Sequence, residues 1–82
     1  MDKKKVAKLT EQCLDELYRN SEPPITWKEV NEKYSGKDLW WRNHKIVEAT
    51  YTKIVDKYAR QIPKAYLNSF YMELLNYAPM GK

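Results

Sequence analysis

The longest periodic run of apolar residues lies between Asp38 and Ile62. There Trp40, His44, Val47, Tyr51, Ile54, Val55, Tyr58 and Ile62 share one stripe about 100° wide when residues advance 100° each. This spacing predicts a long helix over 39–62, and the rest of the chain reads as built to cover it. Upstream, Val6, Leu9, Cys13 and Leu17 recur at helical intervals, with Leu14 and Tyr18 widening the stripe, and predict a first helix over 4–20. Asn20-Ser21-Glu22-Pro23-Pro24 ends it, because each proline removes an amide donor and restricts the residue before it.

The strongest local signal is Ile25-Thr26-Trp27-Lys28-Glu29-Val30. Thr26 is placed to cap the first amides of a helix while Glu29 reaches back to the Thr26 amide, and Ile25 and Val30 occupy the two positions of a hydrophobic staple. A second helix over 27–34 follows, ended by Ser35-Gly36, and Asp38 is placed to cap the long third helix. Pro63 breaks that helix, and Leu67, Phe70, Tyr71, Leu74 and Ala78 mark a fourth over 64–77. The fold class is therefore all-α: a single-domain bundle of about four helices, residues 1–82, with flexible ends at 1–3 and 79–82. The layout of a short helix, a tight Ser35-Gly36-Lys37 turn and a longer helix resembles a helix-turn-helix in outline over 26–46. That resemblance implies base-edge contacts from the start of the second helix of the motif, at Trp41, Arg42, Asn43, Lys45 and Ile46. The segment departs from the motif in having no small residue among Val30, Asn31 and Glu32 in the middle of its first helix.

Charge changes the picture more than composition does. The net charge is +4, yet residues 9–36 carry six acids against three bases, and residues 37–64 carry seven bases against three acids. Arg42, Lys45, Lys53, Lys57 and Arg60 fall opposite or beside the apolar stripe of the third helix and spread over about four turns, a strip able to follow a phosphate backbone. The competing reading is a solvated helix back, and Asp56, four residues before Arg60, is placed to pair with it locally. Lys3, Lys4, Lys5 and Lys8 add a basic N-terminus.

Three Trp, seven Tyr and one Phe supply large side chains that can fill a core economically and can leave some over for a surface. Trp40 and Trp41 cannot both face one core, so Trp41 is either packed against a neighbouring helix or an exposed interface anchor. His44, alone on an apolar face, reads as a hydrogen-bonded core histidine, and Cys13 as a small core residue. One cysteine and one histidine cannot complete a usual zinc site, and two glycines give no phosphate-cradling loop. No cofactor, no metal and no enzymatic activity are expected. No apolar run approaches the length of a membrane span, which makes a cytoplasmic protein without membrane partners the default. Two functions remain. The first is a basic nucleic-acid-binding protein, a DNA-binding regulator using Arg42, Asn43, Lys45, Lys53, Lys57 and Arg60. The second is a protein-interaction module, such as a phage- or host-derived inhibitor or an assembly subunit, using exposed aromatics, with a homodimer also open.

Overall fold

The computed structural model describes residues 2–34 and 43–78. Among them are four helices and no strand: α1 (Lys3–Arg19), α2 (Trp27–Tyr34), α3 (Glu48–Ala59) and α4 (Lys64–Tyr77). Among the described residues, no helix is long and apolar enough to cross a membrane. The all-α bundle is as the sequence predicts, but its centre is different. α1 packs against α2, α3 and α4, and none of those three packs as extensively against another.

The side chains of α1 explain why it can serve three neighbours. Val6, Thr10, Cys13, Leu14, Leu17 and Tyr18 are all buried, and at 100° per residue they span an arc of about 140°, wider than the stripe of a helix covered from one side. Both ends of α1 are tied off. Asp2 is its N-cap and accepts the Lys5 amide at 2.9 Å. At the other end the Asn20 side chain donates to the Glu16 carbonyl at 2.8 Å and the buried Ser21 hydroxyl to the Tyr18 carbonyl at 2.7 Å, satisfying acceptors the helix leaves open.

α2 begins where the capping signal predicts. The Glu29 amide donates to Thr26 Oγ1 at 3.1 Å, the Thr26 amide donates to Glu29 Oε1 at 3.3 Å, and Ile25 and Val30 are buried. A third contact comes from α1: the Trp27 amide donates to Asp15 Oδ1 at 2.9 Å, so a carboxylate sits at the positive end of α2. Thr26→Ala is expected to cost about 1 kcal/mol by leaving the Glu29 amide without its acceptor. Urea unfolding with an unchanged midpoint would show that this cap contributes nothing.

α3 is twelve residues long and does not reach back to 39. Residues 43–47 are not helical: Asn43 lies in a turn, Lys45 in an isolated antiparallel bridge with Glu22, and Val47 is an extended N-cap. The bridge explains the shorter helix. The Glu22 amide donates to the Lys45 carbonyl at 2.6 Å and the Lys45 amide to the Glu22 carbonyl at 3.1 Å, which uses both backbone groups that a helical ladder would need at Lys45. The second helix of a helix-turn-helix is therefore missing over 43–46, and its turn lies outside the described residues. Val47, expected on the core stripe, is 69% exposed. His44 is buried as expected, but from a loop, with Nδ1 2.6 Å from the Pro23 carbonyl oxygen.

The stripe holds where the helix exists. Ile54 and Val55 are buried, Tyr51 and Tyr58 pack against the core, and Ile62 closes the corner before Pro63, the N-cap of α4. α4 turns Phe70 and Leu74 inward. Its last carbonyls are held by tyrosines from two other helices: Tyr18 donates its hydroxyl to Tyr77 O and Tyr51 donates to Ala78 O, each at 2.6 Å. Trp27 completes this cluster, stacked on Tyr18 at 5.9 Å between centroids and edge-on to Tyr77 at 5.3 Å.

Candidate nucleic-acid interface

Lys53, Lys57 and Arg60 lie four and three residues apart and so share one side of α3, where all three are exposed. From Lys53 to Arg60 the helix advances about 10 Å. The three surround a shallow depression of about 430 Å³ whose other lining residues are Glu16, Ile54 and Asp56. Lys45 is exposed on the bridge segment before the helix, and Asn43 is exposed in the preceding turn. The six expected contact residues therefore do not form one helical strip. Arg42 lies outside the described residues, as does Trp41, the expected interface anchor.

The acids of this face alter its electrostatics. Lys57 Nζ donates to both carboxylate oxygens of Glu16, at 2.6 and 2.8 Å, and the Tyr58 hydroxyl donates to Glu16 Oε1 at 2.9 Å. Burial by itself would raise the Glu16 pKa, but the hydrogen bonds from Lys57 and Tyr58, with the lysine charge, hold it below its ordinary value. The same burial and the Glu16 charge push the Tyr58 hydroxyl up to about 12, so it stays a donor at neutral pH. Lys57 is thus partly neutralised, whereas Lys53 and Arg60 make no ion pair among the described residues, and the expected Asp56–Arg60 pair is not formed. Glu16 is the residue of this site that the sequence could not supply. It lies 41 positions from Lys57 and reaches it only because α1 packs on α3.

The neighbouring chemistry is quiet. Cys13 is fully buried, and burial pushes its thiol up to about 12, which leaves it without nucleophilic character at neutral pH. Among the described residues, no group of three His, Cys, Asp or Glu side chains could hold a metal ion. A second surface stands out on α4, where Tyr71, Met72 and Leu75 are 43%, 52% and 62% exposed along one outer stripe. Comparison with protein families, curated proteins and solved structures finds no match to this chain.

Proposed function

We propose that this chain is a small, non-enzymatic nucleic-acid-binding protein that holds phosphates on the outer face of α3. The observation that carries this reading is the convergence of Lys53, Lys57 and Arg60 around one open depression. Their span of about 10 Å matches three steps of a strand at 3.4 Å each. With Glu16 and Asp56 on the same rim, the net charge of the patch is small, which favours a few phosphate contacts over a strong field. Two or three such contacts give log affinity a slope of about −2 to −3 against log salt.

Anisotropy titration of labelled duplex and single-stranded oligonucleotides across salt tests the reading. Lys53→Ala is expected to weaken binding to all sequences alike and to flatten the salt slope by about one unit. An absence of binding by either oligonucleotide at low salt would overturn it. The second reading, a protein-interaction module, is favoured by the exposed Tyr71, Met72 and Leu75 on α4, whose large apolar side chains are of the kind that anchor interfaces.

A further inference from the structure

A larger groove, of about 740 Å³, runs between α1 and α4 and shares no lining residue with the depression at Lys53 and Arg60. This volume is in the range of sites that enclose small molecules. Its two ends differ in chemistry. Lys3, Lys4 and Lys8 line the end formed by the start of α1. Leu14, Trp27 and Tyr77 line the other, near Asp15 and Tyr18, to which Trp27 and Tyr77 are hydrogen-bonded. Lys4 and Leu14 are separated by about 15 Å along the helix axis. Phe70 and Tyr66 of α4 and Ala7 of α1 lie between them.

The lysines stand where helix physics disfavours them. Lys3, Lys4, Lys5 and Lys8 occupy the first two turns of α1, next to the positive end of its dipole, where the N-cap Asp2, whose carboxylate accepts the Lys5 amide, is one acid against four bases. All four are exposed, and none forms an ion pair among the described residues. Glu11 and Glu73 also line the groove without pairing to its lysines. Their charge disfavours an anion midway along and leaves the lysine end as the place for one. A groove about 15 Å long, with Ala7, Tyr66, Phe70 and Trp27 along it, Glu11 and Glu73 on its walls and cations at one end, complements a molecule with a negative head and an extended hydrocarbon tail.

We propose that this groove binds a fatty-acid-type ligand, a single-chain carboxylate, with the carboxylate among Lys3, Lys4 and Lys8 and the alkyl chain running past Phe70 to Trp27 and Tyr77. The test is a titration of the whole chain with dodecanoate below its micelle concentration, followed by amide NMR shifts. Saturable one-to-one binding is expected, with shifts confined to 4–14, Trp27 and 66–77. Dodecyltrimethylammonium, with the same tail and the opposite charge, should bind far more weakly. Lys4→Glu combined with Lys8→Glu should reduce dodecanoate affinity about tenfold, the equivalent of two exposed charge contacts. Because the same change relieves the conflict with the helix dipole, its melting temperature should stay level or rise, which separates lost binding from lost folding. Ser69→Trp, at an exposed position lining the groove, should block binding in a folded protein. Equal binding of the two detergents, undiminished affinity in the double variant, shifts centred on Met72 and Leu75, displacement of dodecanoate from the groove by an oligonucleotide, or no saturable binding would each overturn the proposal.

Discussion

Leu17→Ala is expected to remove most of the stability of this protein. Leu17 is fully buried in the helix that packs against all three others, and truncating a buried leucine costs about 3 to 4 kcal/mol through lost transfer energy and the cavity left behind. A chain of this size has roughly 5 kcal/mol to lose. With about 1 to 2 kcal/mol left, the urea midpoint should therefore fall to roughly 20–40% of the wild-type value. Val47→Ala is the matched comparison. A helix over 39–62 would have Val47 in the core, but at 69% exposure its truncation should change stability by no more than about 0.5 kcal/mol. If the two variants lose similar amounts, α1 is not the centre of the bundle and α3 begins earlier than Glu48.

Glu16→Gln is expected to move stability and nucleic-acid affinity in opposite directions. The substitution weakens the bonds from Lys57 and Tyr58, and with the carboxylate 31% exposed this should cost about 1 kcal/mol. It also removes a negative charge from the α3 depression and frees Lys57 for a phosphate. At low salt, affinity should rise about tenfold, with the salt slope steeper by about one unit. A variant that is less stable and binds no better would count against α3 as the nucleic-acid face. The pH dependence gives an independent reading. The folded-state pKa of Glu16 lies below its ordinary value of 4.5, so its contribution is present above that value and is lost as pH falls through the folded pKa. The stability gap between wild type and Glu16→Gln should accordingly shrink in acid.

These variants fall on both sides of what sequence reasoning can reach. Thr26 and Glu29 lie three positions apart and complete each other's hydrogen bonds within one turn, so the start of α2 could be read from six residues. The α3 depression is different. Lys53, Lys57 and Arg60 were visible as one side of a helix, but whether their charges are free depends on Glu16, which belongs to another helix. Lys45 was joined to them only by extending the helix through a position that pairs with Glu22 instead. The α1–α4 groove gave no sequence signal, because its walls combine residues 3–14, Trp27 and 66–77.

The sequence by itself determined the all-α class, the four helices, the proline-governed ends of α1 and α3, and the burial of Cys13, Leu14, Leu17, Tyr18, Ile54 and Val55. Each of these follows from interactions within a few residues: a repeat near 3.6, a capping side chain, a missing amide. Tertiary structure decided the start of α3, the central role of α1 and the pairing state of the lysines. His44, Ile46 and Val47, spaced for a helix, stay out of one because the Glu22 backbone takes the Lys45 amide and carbonyl, and His44 packs against the Pro23 carbonyl from the loop. Periodicity records which side chains could share a face. Which helix becomes the hub depends on how many neighbours each face meets, and the 140° arc of α1 meets three.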